Sequence, residues 1–291
     1  MENKNLLTVK DLRKEYKEFT LADVSFNLPA GHIMGIIGPN GAGKTTTIKL
    51  IMNFIKADGG EIDIFGLNHQ KDEKEIKNRI GYVGEEQYFY QNKTVAWTGN
   101  FVAQFYKNWD NSKFNEFLED FKLSRTKKVK ELSRGMKVKL SFAIALSHNP
   151  DMLILDEPTS GLDPVIRREI LDLLTAISRE GNKSVLISSH ITGDLARIAD
   201  IITFMINGRI TLSKEKDELL ANWKRIHYKK GALDDRIIAS LEHVQEHSFG
   251  SSGMTGDYLK IKDSLTTGIA KEDIKVENVN LDDILISFVK R

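Results

Sequence analysis

The chain has 291 residues, of which 41% are hydrophobic and 29% are charged, and its formal net charge is +1. This composition is typical of a soluble globular protein with one large domain, or with one domain and a smaller one. The near-zero charge excludes an overall field that recruits nucleic acid or anionic lipid. Cysteine is absent, which excludes disulfides and thiolate metal sites and fits a reducing compartment.

The sequence contains no apolar run that approaches the length of a membrane-spanning helix. Residues 1–5 are polar and lack the apolar core of a signal peptide. We therefore expect a soluble protein whose association with a membrane would depend on a partner.

The N-terminal region, residues 6–28, is predicted to form strands, because apolar and polar residues alternate in segments such as 24–28. A turn follows at 29–31, and the apolar run at 33–37 has the length of a buried strand. Further short strands are predicted at 61–64 and 79–83.

Between the strand at 33–37 and a predicted helix at 45–54 lies a glycine-rich segment with the pattern G-x-x-x-x-G-K-[ST]. Glycines let backbone N–H groups approach phosphate oxygens without a Cβ in the way, and the helix adds unpaired N–H groups. In such a loop Lys44 bridges the β- and γ-phosphates and Thr45 ligates Mg²⁺. The alternative is a glycine-rich turn with a surface lysine. The predicted nucleotide-binding residues are Gly38, Pro39, Asn40, Gly41, Ala42, Gly43, Lys44, Thr45 and Thr46.

Residues 95–149 change character, because strand signals disappear and helical periodicity replaces them. Trp97, Phe101, Phe105 and Trp109 recur at every fourth position, which predicts an aromatic stripe along one helix. We interpret this segment as a helical insertion.

The parallel-sheet pattern returns with apolar runs at 152–155 and 184–187 and a predicted helix at 164–180 between them. The first run ends in Asp156 and Glu157, and open α/β sheets place ligands at the carboxyl ends of their strands. We expect Asp156 to hold Mg²⁺, through water, and Glu157 to orient or deprotonate the attacking water. An acidic strand-to-turn junction without catalytic function is the alternative.

A hairpin is predicted at 201–212, with Asn207-Gly208 at its turn. Residues 216–291 are less informative. They suggest a short helix, strands near 226–229 and 258–262, a Gly/Ser-rich loop at 250–253 and a C-terminal helix capped by Asn280 or Asp282. We interpret them as a small α+β appendage.

Two more segments bear on the family: residues 132–136 read Leu-Ser-Arg-Gly-Met, and residues 155–163 read Leu-Asp-Glu-Pro-Thr-Ser-Gly-Leu-Asp. With the glycine-rich loop, they resemble the nucleotide-binding subunit of an ABC transporter over about residues 5–215. The parts follow the family's order of aromatic residue, phosphate loop, glutamine-loop position, helical subdomain, signature, aspartate–glutamate pair, D-loop and switch histidine. One part alone is weak, whereas the ordered set is specific.

The resemblance implies roles for further residues. Tyr16 resembles the aromatic residue that stacks on adenine, with ordinary packing in a strand as the alternative. Ser133 and Gly135 would contact the γ-phosphate of ATP held by a second subunit, and Asp163 resembles the D-loop aspartate that links the two sites. His190 resembles the switch histidine that contacts the γ-phosphate, although a lone histidine is usually structural.

The sequence departs from the family pattern at two places. Arg134 and Met136 replace glycine and glutamine of the signature, and Arg134 either adds a cation near phosphate, in trans, or is solvated. At the glutamine-loop position the chain has Glu85, which can ligate Mg²⁺ or belong to a solvated loop. Gln87 lies nearby, but the spacing favours Glu85.

The resemblance implies an α/β fold: a P-loop NTPase core of the ABC ATPase type with an antiparallel β subdomain, a helical insertion at about 95–149 and a C-terminal appendage. It implies ATP and Mg²⁺ as cofactors, a permease and a second cassette, identical or paralogous, as partners, and a cytoplasmic position at the inner face of the membrane. The signature is similar to those of bacterial exporters of peptides, antibiotics or lipids, including exporters of phenol-soluble modulins. The aromatic residues 88–90 and the stripe lie where the family docks its membrane subunit, with internal packing as the alternative.

Two other functions remain open at this stage. A soluble ABC-type ATPase acting on ribosomes or DNA usually carries two cassettes or long coiled coils, and this chain has neither, while its neutral charge argues against binding nucleic acid. A degenerate cassette that binds ATP and hardly hydrolyses it is favoured by Arg134 and Met136 and opposed by Glu157.

Overall fold

The computed structural model describes residues 5–181, 183–248 and 250–290. The polar segment before residue 5, on which the prediction of no signal peptide rests, lies outside the described residues. The chain divides into two compact units, one ending at Ser213 and one beginning at Lys214. No described helix combines the length and the apolar character that crossing a membrane requires.

The elements of the first unit follow the predicted alternation of strands and helices. The strands are β1 Asn5–Glu15, β2 Thr20–Pro29, β3 Ile33–Ile37, β4 Gly59–Ile64, β5 Leu67–Asn68, β6 Ile80–Val83, β7 Met152–Asp156, β8 Ser184–Ser189, β9 Ile201–Ile206 and β10 Arg209–Glu215. The helices are α1 Lys44–Ile51, α2 Glu73–Asn78, α3 Val95–Ala103, α4 Asn111–Asp120, a short 3-10 helix Val129–Glu131, α5 Arg134–Leu146, α6 Pro164–Gly181 and α7 Thr192–Ile198.

In the described part of the chain, the central sheet has six strands in the order β10-β9-β3-β8-β7-β6. Strands β9, β3, β8, β7 and β6 run parallel, and β10 returns beside β9 across the Asn207-Gly208 turn. Every residue of β3, β7 and β8 is buried, which explains their apolar central residues, and the polar residues of β7 and β8 lie at the strand ends. The register pairs Asp156 with Ser188 and Ile37 with Ser189, so three loops leave the same edge of the sheet.

A second, antiparallel sheet has the order β2-β1-β4-β5. Its apolar face and the helix α1 share one hydrophobic core with the central sheet, including Leu12, Val24, Ile48 and Ile154. Residues of both β3 and α1 pack in this core, so the two elements that flank the glycine-rich loop are held in place.

The prediction of one helix carrying the whole aromatic stripe was wrong. Helix α3 ends at Ala103, so Trp97 and Phe101 share it while Phe105 lies beyond its end. Trp109 directly precedes Asp110, which caps α4, and its ring packs against Phe114 with 5.3 Å between centroids. This contact between the residue before the cap and the fourth helical residue is a hydrophobic staple. It assigns Trp109 to the beginning of α4.

The second unit contains α8 Lys216–Asn222, β11 Lys224–Tyr228, α9 Asp235–Ser240, β12 Glu242–His247, β13 Gly250–Thr255, α10 Tyr258–Ala270, β14 Ile274–Asn278 and α11 Leu281–Val289. Its strands form a sheet in the order β12-β13-β11-β14. Two predictions were wrong here. The segment 250–253 belongs to a strand that is paired on both sides, and 258–262 begins a helix. Asn280 caps α11 by accepting a hydrogen bond from the Asp283 backbone N–H.

Candidate functional site

The glycine-rich loop, residues 38–45, connects β3 to α1 as predicted. Gly41 and Gly43 have φ angles of 81° and 108°, a left-handed conformation that glycine adopts without a steric penalty. At Gly38 an added Cβ would lie 2.2 Å from the Met205 carbonyl oxygen, so that position has no room for a side chain. The backbone therefore folds closely around the start of α1, where unpaired N–H groups favour an anion.

Lys44 is buried, with 5% of its surface exposed, and its ammonium lies inside the loop. Nζ donates hydrogen bonds to the carbonyl oxygens of Gly38 at 2.8 Å and Pro39 at 3.2 Å. Nζ also lies 3.2 Å from Glu157 Oε1, an ion-pair contact without hydrogen-bond geometry. The lysine is thus held at the position from which it can reach phosphate oxygens of a nucleotide in this loop.

Asp156 ends β7 and is fully enclosed. Its Oδ1 accepts hydrogen bonds from Ser188 Oγ at 2.7 Å and from Thr45 Oγ1 at 3.1 Å. Burial raises the pKa of Asp156 above its ordinary value of 3.8, the Ser188 and Thr45 hydrogen bonds oppose this rise, and the nearby charge of Glu157 adds to it. A nearby divalent cation would favour the ionised form of this carboxyl group.

Glu157 lies directly after β7 with a left-handed φ of 49°. Its backbone N–H donates to Ser188 O and Ser188 Oγ, which fixes this conformation. Oε2 lies 2.7 Å from His190 Nδ1 and accepts a longer hydrogen bond from the His190 backbone N–H. The carboxylate is therefore oriented from one side by His190 and from the other by Lys44.

Lys44, Glu157 and His190 line one cavity of about 800 Å³. Asp156 does not line it but bonds to Thr45, which does. Its lining includes Glu85 and excludes Gln87, whose amide donates to the carbonyl oxygens of Gly84 and Glu85. The structure thus brings Glu85 to the site. The residues that line the cavity are Glu18, Phe19, Asn40, Gly41, Ala42, Gly43, Lys44, Thr45, Thr46, Glu85, Glu157, Ser160 and His190.

The aromatic residue that lines this cavity is Phe19, which sequence reasoning did not select. Tyr16 lies next to it, with 6.5 Å between ring centroids, and is 47% exposed without lining the cavity. The Tyr16 backbone N–H donates to the Phe19 carbonyl, so both residues belong to the turn between β1 and β2.

The signature residues are outside the cavity of their own chain. Ser133 is the N-cap of α5 and accepts a hydrogen bond from the Met136 backbone N–H, while Gly135 is buried against Ile166 of α6. The exposed Arg134 guanidinium approaches Gly161, where an added Cβ would lie 2.8 Å from its Nη1. Ser133 thus lies at the start of a helix, away from the phosphate loop of the same chain.

Asp163 is also outside the cavity of its own chain. Its Oδ1 accepts hydrogen bonds from the backbone N–H groups of Val165 and Ile166, in the first turn of α6. The start of α5 lies next to the start of α6, because Gly135 faces Ile166 and Arg134 faces Gly161.

The family model described as ABC transporter matches residues 21–160. The chain is 35% identical to the bacitracin transport ATP-binding protein BcrA of Bacillus licheniformis, over 84% of this chain and 81% of that protein. The chain belongs to the ABC transporter family, as an ATP-binding subunit.

Other members of the family show the same relationship. The lantibiotic transport ATP-binding protein SrtF of Streptococcus pyogenes is 35% identical over 73% of this chain and 92% of that protein. A solved structure of an ATP-binding subunit of an ABC transporter superposes with a TM-score of 0.68 and 28% identity, covering 74% of this chain and 92% of that chain. A structure of cbiO1 from Clostridium perfringens superposes with a TM-score of 0.65 and 26% identity, covering 75% and 91%.

Membership of the ABC transporter family confirms the predicted fold class, a P-loop NTPase of the ABC ATPase type. The chain is an ATPase, and it is the ATP-binding subunit of a transporter. Sequence reasoning missed Ser188, which contacts both Asp156 and Glu157. Its position at the end of β8, two residues before His190, was the available signal.

Proposed function

We propose that this ABC ATPase drives the export of peptide antibiotics or related amphipathic peptides. Support for the substrate class comes from the bacitracin and lantibiotic transport subunits that it resembles. The similarity to the bacitracin protein spans 248 residues, so it extends beyond the ATPase core into the second unit.

In this proposal ATP is bound between two cassettes. The phosphate loop with Lys44 supplies one wall of each site, and Ser133 and Gly135 of the second cassette supply the other. Support comes from the exposure of Ser133 at the start of α5, outside the cavity that its own phosphate loop lines. The start of a helix offers unpaired backbone N–H groups, which favour a γ-phosphate. Asp163 and Arg134 lie beside this surface and would contact the partner cassette.

The chemistry that we propose for one site requires a nucleophilic water on the γ-phosphate. Glu157 accepts a hydrogen bond from that water and takes its proton as the P–O bond forms, while ADP leaves. His190 holds the carboxylate through the 2.7 Å contact and contacts the γ-phosphate. Lys44 stabilises the charge on the transferred phosphoryl group.

The oxygen donors near the phosphates fit Mg²⁺, which prefers carboxylate, hydroxyl and water ligands. We assign its binding to Thr45, to Asp156 through water, and to Glu85. When bound, the ion neutralises phosphate charge during transfer. The enclosure of Asp156 beside the Thr45 and Ser188 hydroxyl groups supports this assignment, because a divalent cation would favour the ionised form of a buried carboxyl group.

We place the protein on the cytoplasmic face of the membrane, held there by its permease. Several aromatic rings of the helical segment favour a docking surface, because Tyr88, Tyr90 and Phe105 are 88%, 60% and 62% exposed. The rings of Tyr90, Trp97, Phe101 and Phe105 contact one another edge to face or stacked, so they form one aromatic cluster.

The observation that carries the proposed hydrolysis is the convergence of Lys44, Glu157 and His190 around one cavity, and the substrate class rests on the relatives. The test begins with purification of the chain from detergent-solubilised membranes and identification of the multi-span protein that accompanies it. The pair is then placed in vesicles, and ATP-dependent movement of bacitracin and of a lantibiotic is measured. We expect transport with the native chain and none with Glu157→Gln. Peptide-independent ATPase activity without any transport would overturn the substrate assignment.

A further inference from the structure

The second unit contains a cavity of about 570 Å³, a volume suited to a small organic molecule. All the residues that line it belong to this unit, and it lies between one face of the β12-β13-β11-β14 sheet and helix α11.

Alternation along β11 separates this cavity from the core of the unit. Ile226 and Tyr228 point into the hydrophobic cluster on one face, whereas Arg225 and His227 line the cavity on the other. The register places Met254 of β13 beside Arg225 and Ser252 beside His227, which completes the floor.

The lining carries more cationic than anionic groups. Arg225 is paired with Asp283 at 2.8 Å, and His227 Nε2 contacts Glu277 at 2.9 Å. Lys290 also lines the cavity, and no carboxylate of the described residues lies within ion-pair distance of its ammonium. After these pairs are formed, the ammonium of Lys290 remains available to an anion.

Ser287 provides an independent indication of a ligand. The side chain lines the cavity, is 1% exposed, and its hydroxyl has no hydrogen-bond partner among the described residues. A buried hydroxyl without a partner is unfavourable, and serine within a helix usually bonds to the carbonyl four residues earlier. The wall of the cavity therefore contains a hydroxyl whose donor is unused.

His243 holds the opposite wall in an unusual backbone conformation. It has a left-handed φ of 51° at an irregularity of β12, between the pairs formed by Glu242 and Gln245. Its Nε2 lies 2.8 Å from the Ser287 carbonyl oxygen, which links the strand to α11 beside the unpaired hydroxyl. A bulge of this kind redirects a side chain and is frequent beside functional sites.

We propose that this cavity binds a small amphipathic anion. Its anionic oxygens accept a hydrogen bond from Ser287 and pair with Lys290, and its apolar part covers Val244 and Ile286, which are 44% and 49% exposed. This cavity shares no lining residue with the nucleotide cavity, and the proposal does not rest on the export proposal.

The test uses the full-length protein without nucleotide and titrates it calorimetrically with octanoate, octyl phosphate and octanamide. The first two differ in the anionic group, and the third is a neutral control of similar shape. We expect at least one of the two anions to bind and the amide to bind about tenfold more weakly or not at all, because an uncharged head group cannot pair with Lys290.

Two variants separate binding from folding. Ser287→Ala should weaken binding of the anion about tenfold while leaving the Tm of the unliganded protein unchanged or higher, because no partner is lost. Lys290→Gln should also weaken binding of the anion. Lys262→Gln should not, because Lys262 is exposed on α10 and does not line the cavity. The proposal is wrong if neither anion binds, if octanamide binds equally well, or if Ser287→Ala and Lys290→Gln bind like the native protein.

Discussion

Glu157 and Lys44 form a buried ion pair, with 3.2 Å between Oε1 and Nζ and less than a tenth of either side chain exposed. The carbonyl oxygens of Gly38 and Pro39 also accept hydrogen bonds from this ammonium. The proton acceptor that we propose and the phosphate-binding cation are thus preorganised in one place. Preorganised charge of this kind is the main source of catalysis in phosphoryl transfer.

The first prediction concerns Glu157→Gln. The amide keeps the size of the side chain but cannot take a proton, so we expect ATP hydrolysis to fall by about 10²-fold to 10⁴-fold. ATP binding should remain, because the hydrogen bonds of Lys44 to the loop carbonyls are unchanged. Steady-state turnover and nucleotide affinity of the purified variant measure the two effects.

Glu119→Gln is a matched control, since Glu119 is exposed on α4 and distant in sequence from the phosphate loop. Its turnover should equal that of the native protein. Near-normal hydrolysis by Glu157→Gln would exclude the proposed role.

The parts of the site that sequence could predict are those encoded by local pattern. The glycine spacing of 38–45, and the apolar run that ends in Asp156, each depend on one strand and one turn. Ser188 was not predictable in the same way, because its contact with Asp156 depends on the register of β7 against β8. Phe19 was missed because two aromatic residues share one turn and only packing distinguishes them.

The errors in the fold have the same physical origin. Gly250–Thr255 has weak strand propensity, and it forms a strand because it is paired with β11 on one side and β12 on the other. The alternating pattern of 258–262 is too short to distinguish a strand from the first turns of α10. The four-residue spacing of the aromatic stripe continues past the end of α3 by coincidence, because Trp109 packs against Phe114 of α4.

The second prediction uses the ionisation of Asp156. Burial raises the pKa of Asp156 in the folded protein, so the ionised carboxylate destabilises the fold. This destabilisation is complete above the raised pKa and disappears as the pH falls toward about 4, the ordinary pKa of an aspartate. Asp156→Asn keeps an oxygen that accepts the Ser188 and Thr45 hydrogen bonds. Without divalent cations at pH 7 the variant should therefore have a higher Tm, by about 2–4 °C for each kcal/mol gained.

This difference in Tm should shrink as the pH is lowered through the raised pKa, and Mg²⁺-ATP should stabilise the native protein more than the variant. Thermal unfolding in EDTA between about pH 4 and pH 8, repeated with Mg²⁺-ATP, makes both measurements. A variant that is less stable at pH 7 and unchanged by pH would contradict the prediction.

The third prediction concerns Glu85, which lines the cavity. Glu85→Gln retains an oxygen that can ligate Mg²⁺ or water and should reduce turnover slightly. Glu85→Ala retains none and should reduce turnover further and raise the Mg²⁺ concentration needed for half-maximal activity. Glu86→Gln is the control, since Glu86 is exposed and does not line the cavity. Native turnover and Mg²⁺ dependence in both Glu85 variants would assign this residue to the solvated loop.

The fourth prediction concerns the exposed rings at Tyr90 and Phe105. Replacing both with serine should weaken co-purification with the permease, because apolar area would be lost from the proposed interface. ATPase activity of the isolated chain should be unchanged, since neither residue lines the nucleotide cavity. Phe117→Ser on α4, which is partly buried against the helical segment's core, is a control for general destabilisation. If the double variant recovers as much permease as the native protein, these rings do not form the interface and contribute to packing within the chain.

The last prediction tests the composite site directly. A two-fold axis would make two equivalent sites, each with Lys44 of one chain and Ser133 of the other. Lys44→Ala and Ser133→Arg, both prepared with Glu157→Gln, should each fail to dimerise with ATP, because every site in either homodimer carries one lesion. In a mixed dimer both lesions meet in one site, and the second site is intact. Mixing the two proteins should therefore restore ATP-dependent dimers, detected by light scattering with ATP and Mg²⁺. The measurement is repeated with the permease present. If the Glu157→Gln parent dimerises and the mixture does not in either setting, the head-to-tail arrangement is wrong.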